Sequence, residues 1–176
     1  ALPIFLGCER TQYGADTFFS TVSYAIAGGG EYSFTSDNNK LLLSHNATGI
    51  FNSYFIDINT GEMNAITNSE SNAIFALSYF PEDERVLVSS DKGGNERNHI
   101  FVVEKEGQLT DLTPGKETRA SFLGFSSNTK SFYIASNERD SRSMDVYRYS
   151  TDSYKKELIF KNSQSFEVLE ISDNDK

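Results

Sequence analysis

A repeat of about 45 residues runs through this chain and leaves few folds open to it. Its clearest copy is the stretch from Phe80 to Thr113. That copy holds an acidic turn (Pro81 to Arg85), an apolar run (Val86 to Val88) and a polar loop rich in Gly and Asn (Asp91 to Asn98). A second apolar run (Ile100 to Val103), a turn at Glu106 and Gly107, and a closing run ending at Leu112 and Thr113 complete it. Short runs enriched in Val, Ile and Phe and bounded by Gly, Asn and Asp read as antiparallel strands. Laid against itself, the chain places a turn cation at Lys40, Arg85, Lys130 and Lys176, at intervals of 45, 45 and 46 residues. The residue opening the next strand falls at Asn52, Asn98 and Met144, with an aromatic three residues on at Phe55, Phe101 and Tyr147. A period of this length built from several short strands is the pattern of a propeller blade.

The repeat predicts an all-β fold: a partial β-propeller of about three four-stranded antiparallel blades plus the start of a fourth. The blades fall at about residues 31–67, 74–113 and 119–160, and the next begins over 165–176, with a strand from Phe166 to Ile171. In the first blade the expected strands are Glu31 to Thr35, Leu41 to His45, Asn52 to Ile58 and Met63 to Thr67. Residues 9–30 form a lead-in, with a strand over Thr17 to Val22 and a hinge at Gly28, Gly29 and Gly30. Aromatic side chains make up 13% of the chain, 14 Phe and 9 Tyr without Trp, which suits the packing of stacked sheets. Three blades and a fraction do not close a ring, and unpaired edges invite association. The chain is therefore expected to be a piece of a longer protein and to associate through its open edges.

A net charge of −9 argues against a nucleic-acid partner, since phosphate backbones need clustered Lys and Arg. The acidic residues are scattered through turns and read as a solvated surface. Residues 1–8 read as the remnant of an export signal: an apolar run, ALPIFLG, ends directly at the only cysteine, Cys8. Leu6, Gly7 and Cys8 resemble a bacterial lipoprotein signal, which makes Cys8 a candidate lipid-attachment site, although Phe5 stands where that pattern prefers Leu. A buried strand cysteine is the plainer alternative. One cysteine forms no internal disulfide, and no apolar run approaches the ~20 residues that span a bilayer.

The residues that carry chemistry elsewhere read here as structure. Gly28 to Gly30 lack the Lys-Ser or Lys-Thr of a phosphate loop. The Asx-rich slot of each repeat (36–40, 81–85, 126–130, 172–176) lacks the Gly and distal Glu of a calcium loop and suits hairpin turns. Ser126 sits in such a turn, and Gly124-Phe125-Ser126-Ser127-Asn128 lacks the second Gly of a nucleophile elbow. His45 and His99 have no Cys or second His at ligand spacing, so each reads as a surface or strand-edge residue. Glu82, Asp83 and Glu84 form an acidic group with no binding motif around it; a role in holding a peptide amine would follow only from the family resemblance given below. Asn46-Ala47-Thr48 fits the glycosylation sequon. No catalytic residue, metal site or cofactor is expected, and no residue stands out as a binding site.

Four stretches carry a family resemblance: LLLSHNATGIFNSYFIDINTGEMNAIT, FALSYFPEDERVLVSSDKGGNERNHIFVV, LTDLTPGKETRASFLGFSSNTKSFYIASNERD and MDVYRY. They resemble the amino-terminal propeller of bacterial prolyl oligopeptidase family serine peptidases, over about Thr17 to Lys176. The five-residue turn is similar to the Ser-Pro-Asp-Gly-Lys turn of that family and of TolB-like propellers, with Asn39, Glu84, Thr129 and Asp175 where Gly is usual. The resemblance implies a periplasmic or envelope protein in which the propeller gates access of short peptides to a C-terminal α/β-hydrolase domain. That partner domain would carry a Ser, Asp and His triad. A second implication, from TolB-like propellers, is a periplasmic module that binds protein partners.

Overall fold

A computed structural model describes residues 14–27, 32–164, 166–168 and 171. Cys8, the Gly28 to Gly30 hinge and most of the expected fourth blade lie outside these residues. The strand expected over Thr17 to Val22 is replaced by a short helix, α1 (Ala15–Phe19). Asp16 sits favourably in its first turn, and its carbonyl accepts from the Ser20 amide, closing the turn.

Twelve strands among the described residues form three antiparallel sheets of four, each in chain order. The first blade holds β1 (Tyr24–Ile26), β2 (Lys40–His45), β3 (Asn52–Asp57) and β4 (Met63–Ala65). The second holds β5 (Ile74–Tyr79), β6 (Val86–Ser90), β7 (His99–Val103) and β8 (Leu109–Asp111). The third holds β9 (Ala120–Phe125), β10 (Ser131–Ser136), β11 (Asp145–Ser150) and β12 (Lys156–Phe160). Residues 166–168 and 171 form no strand.

The inner strand of the first blade is therefore Tyr24–Ile26 and not Glu31 to Thr35. Phe34 makes only an isolated bridge to Leu41. Leu42 is flanked by both Ala27 and Ser33: its carbonyl accepts from the Ala27 amide and its amide donates to the Ser33 carbonyl. Among the described residues, the backbone of Thr35, Ser33 and Ala27 thus bonds to β2 in addition to the Tyr24–Ile26 pairing. In the other two inner strands a single residue is left out, Leu77 in β5 and Leu123 in β9, as a β-bulge.

Two registers shift by one residue from the sequence expectation. Lys40 is the first residue of β2, whereas Arg85 and Lys130 precede β6 and β10. The turns themselves show why: Asn38 and Thr129 hold the positive φ angle, at 57° and 59°, and Thr35 and Ser126 place their hydroxyls alike on Asp37 and Asn128. The turn before β6 begins with Pro81 and has no positive φ at Glu84. The residues that open the third strands are Asn52, His99 and Asp145, so Asn98 and Met144 stand one position early. The aromatics two residues further on, Tyr54, Phe101 and Tyr147, are the equivalent ones.

The core lies in two seams between blades. In the first, Leu42 and Ala27 meet Ile74, Ala76, Tyr79, Val86, Val88 and Val103. In the second, Phe80, Leu87, Ile100, Val102 and Leu112 meet Ala120, Phe132, Ile134, Tyr147 and Tyr149. Main-chain bonds align each blade on the one before: the Ile74 amide donates to the Phe51 carbonyl and the Ala120 amide to the Asn98 carbonyl, both at 2.8 Å.

Candidate functional site

The third strand of each blade opens on a polar side chain that ties down the segment leading to the next blade. Asn52 is buried; its Oδ1 accepts from the Thr67 hydroxyl and the Ser69 amide, and its Nδ2 donates to the Ser69 carbonyl. His99 is clamped between two acceptors, with Nδ1 2.8 Å from Asp111 Oδ2 and Nε2 3.0 Å from the Gly115 carbonyl. Gly115 has φ of 153°, and a Cβ there would meet the Thr118 hydroxyl at 2.1 Å, so this carbonyl position requires glycine. Asp145 is fully buried; it accepts from the Asn162 amide at 2.8 Å and from Nε and Nη2 of Arg139. The Arg139 guanidinium holds the Asp145 carboxyl below the usual carboxylate range, against the opposing effect of burial. Buried polar groups need such partners, so all three are structural latches.

The residues weighed from the sequence fall into place accordingly. Cys8 lies outside the described residues. His45 is not at the surface: it is 3% exposed, stacked on Tyr24 at 4.2 Å, with Nδ1 3.0 Å from the Ser23 carbonyl. The strand Tyr24–Ile26 covers its face of β2, a pairing invisible while the inner strand was placed at Glu31. His99 does open a strand, but with both ring nitrogens engaged it offers no free base. Ser126 is a turn residue, with its Oγ donating within reach of Asn128 Oδ1 and the Ser131 carbonyl and accepting from the Ser131 amide. The acidic trio is divided among neighbours. Glu82 accepts from the Thr129 hydroxyl, Asp83 pairs with Arg85, and Glu84 pairs with Lys40 at 2.8 Å. Among the described residues no cluster of His, Cys, Asp or Glu is arranged to hold a metal ion. No helix there is long and apolar enough to cross a membrane.

What the sequence reading missed is a groove in the first seam. Equivalent positions 46 residues apart carry different volumes in successive blades: Val86 against Phe132, Val88 against Ile134 and Val103 against Tyr149. The large set fills the second seam, where Phe132 and Tyr149 stack at 5.2 Å and the Tyr149 hydroxyl reaches the Leu112 carbonyl. In the first seam Val88 is the one of the three that borders this groove. There two adjoining cavities open, of about 490 and 750 Å³, which share Asn72, Ser90 and Phe101. The smaller is walled by Ile66, Ile74, Val88 and Leu109; the larger is rimmed by Lys92, Arg97 and Lys116 beside His99 and Asp111. Comparing side-chain volumes down the repeat is the signal by which the sequence alone would have located it.

Compared with known proteins, the sequence matches no family and no curated protein. Solved structures do match. TolB from Acinetobacter baumannii is 20% identical with a TM-score of 0.58, over 84% of this chain and 34% of that one. A prolyl endopeptidase is 11% identical with a TM-score of 0.59, over 74% and 21%. Oligogalacturonate lyase from Vibrio parahaemolyticus is 14% identical with a TM-score of 0.58, over 81% and 42%. The chain thus spans from about a fifth to less than half of these proteins. At such identity the likeness establishes the fold, three consecutive blades of a TolB-like or prolyl endopeptidase-type propeller.

Proposed function

We propose that this chain is the non-catalytic propeller segment of an exported serine peptidase, where it limits which peptides reach an α/β-hydrolase domain carried elsewhere in the protein. One observation carries the reading: Ser126, His45 and His99 are each consumed by structural contacts, so the blades supply walls and loops and leave the chemistry to another domain. The fold likeness to a prolyl endopeptidase supports it, since inter-domain dynamics bear on catalysis and specificity in that protein. In this reading Cys8 is the lipid anchor that holds the enzyme at the cell envelope. The test is to label the folded full-length protein with a serine-directed fluorophosphonate and to compare hydrolysis of short peptides with that of a folded protein substrate. Labelling together with a preference for short peptides is expected. Folded full-length protein that takes up no label overturns the reading.

A second reading, a TolB-like module that binds protein partners, is favoured by the coverage of TolB, which matches 84% of the chain. It predicts no fluorophosphonate labelling of the full-length protein.

A further inference from the structure

We propose that His99 makes the connection between the second and third blades a proton-dependent latch, closed when the ring carries two protons and loosened when it carries one. The geometry around the ring calls for two donors. Nδ1 stands 2.8 Å from Asp111 Oδ2 and Nε2 stands 3.0 Å from the Gly115 carbonyl, and both of these oxygens only accept. A neutral imidazole has one N–H, so it satisfies one oxygen and turns a lone pair on the other; the imidazolium satisfies both. The carboxylate is the stronger acceptor and keeps the proton beside it, so Gly115 is the partner that loses its donor.

The first blade builds the same latch without a titratable group. Ser69 and Gly115 lie 46 residues apart, as do Thr67 and Thr113, whose hydroxyls accept the Ser53 and Ile100 amides at 2.9 and 3.0 Å. In the first blade the donor to the Ser69 carbonyl is Asn52 Nδ2, an amide with no proton to lose near neutral pH. Asp111 has no acidic counterpart there either: Ala65 stands opposite Tyr54 as Asp111 stands opposite Phe101. In the third blade Asp145 only accepts, from the Asn162 amide and the Arg139 guanidinium. Among the described residues the second blade alone hangs its connection on a histidine and sets a carboxylate against it.

The charges around the ring leave its direct contacts to decide. Asp91, Lys92 and Arg97 of the loop before β7, Asp111 of β8 and Lys116 of the connection line one cavity with His99. Arg97 is paired with Glu117 at 2.6 Å, and Asp91 and Asp111 balance Lys92 and Lys116. On β6 the residue opposite His99 is Ser90, which is uncharged. When Nε2 gives up its proton, the Gly115 carbonyl keeps only the Thr118 amide, at 3.2 Å, and the turn at Gly115 loosens from β7. The blades stay joined, because the Ala120 amide still donates to the Asn98 carbonyl. Gly115 and Lys116 wall the larger cavity, which therefore widens as the latch loosens. The latch belongs to the blades themselves and does not rest on the peptidase reading.

The experiment is amide hydrogen exchange on the 176-residue chain at about pH 5.5 and about pH 8, which bracket the ordinary histidine value of ~6.5, with rates corrected for intrinsic exchange. The closed latch holds the extra proton, so protection is present at the lower pH and is lost as pH rises. Residues 113–119 are expected to lose about tenfold in protection across that interval, while residues 67–72 of the first blade hold theirs. His45, the only other histidine, lies in the first blade, so a change confined to 113–119 reports His99. The double change His99→Asn with Asp111→Ala copies Asn52 and Ala65 and is expected to give equal protection at both pH values. Ring nitrogen NMR shifts of the unaltered chain, which need no variant to fold, are expected to show both His99 nitrogens protonated at the lower pH and Nε2 bare at the higher. Protection of 113–119 that does not change with pH overturns the proposal, as does a bare Nε2 at the lower pH. So does a folded double variant that keeps the pH dependence of the parent.

Discussion

The Tyr149 hydroxyl donates to the Leu112 carbonyl at 3.1 Å, crossing the seam between the second and third blades. The equivalent residue one blade earlier is Val103, which has no hydroxyl to make such a crossing in the first seam. Burial pushes the Tyr149 phenol well above its ordinary range, which favours the protonated, donating form. Tyr149→Phe is expected to cost about 1–2 kcal/mol, because a buried carbonyl loses its partner while the ring remains. Tyr149→Val, which reproduces the first seam in the second, is expected to cost about 3 kcal/mol or more by opening a cavity. Urea unfolding of the two variants checks the order; equal losses would show that the hydrogen bond contributes nothing beyond the ring.

Tyr79 is the counter-case. It is buried in the first seam, and its hydroxyl has no hydrogen-bond partner among the described residues. Removing an unpaired buried hydroxyl relieves a desolvation cost, so Tyr79→Phe is expected to be neutral or stabilising by up to ~1 kcal/mol. A loss of more than that in thermal or urea unfolding would mean that the hydroxyl is satisfied by a group beyond the described residues.

Asp145 makes stability depend on acid pH. Its carboxyl is depressed in the folded chain by the Arg139 hydrogen bonds, so the contribution is complete above the ordinary carboxylate pKa of ~3.9 and is lost as pH falls through the folded value. Asp145→Asn is therefore expected to be less stable than the parent at pH 7. The gap should close as pH falls below ~3.9. Denaturation midpoints of both proteins across pH 3 to 7 decide it, and a gap constant with pH would sink the assignment.

Thr129 holds φ at 59°, a left-handed conformation that a β-branched residue adopts only under strain. Thr129→Gly is expected to stabilise by about 0.5–1 kcal/mol. The ~1–2 kcal/mol of relieved strain exceeds the loss of an exposed hydrogen bond to Glu82, which is worth less than ~1 kcal/mol, and the added flexibility of glycine takes back part of the gain. Thr129→Ala removes the β-branch but keeps a Cβ at the left-handed angle and loses the hydrogen bond, so it should gain less than Thr129→Gly. A larger gain for Gly than for Ala in urea unfolding is the outcome to look for.

The repeat was legible because hairpin turns and strand alternation are local: Pro81 to Arg85, Gly107 and the Val86 to Val88 run declare a blade within a few dozen residues. The slip at Lys40 arose because the turns differ in which residue takes the left-handed angle. Those at Asn98 and Met144 arose because the loop before the third strand spans 46–51 in the first blade but the longer 91–98 and 137–144 in the other two. A choice between Asn38 and Asn39 is settled by Thr35 and Asp37 bonding around it, not by residue type. His45 looked like a surface residue for a related reason. What covers it is Tyr24, brought there by the pairing of Tyr24–Ile26 with β2.

The amino-acid sequence by itself determined the number of described blades, their four-stranded pattern and the absence of a nucleophile elbow, since each depends on spacing along the chain. Only the tertiary structure decided which inner strand completes the first blade, which polar side chains latch the connections, and that one seam is filled while the next gapes. Those outcomes turn on volumes summed across two sheets. Val88 and Ile134 are equally good strand residues, and the difference between them becomes a cavity only when another blade packs against each.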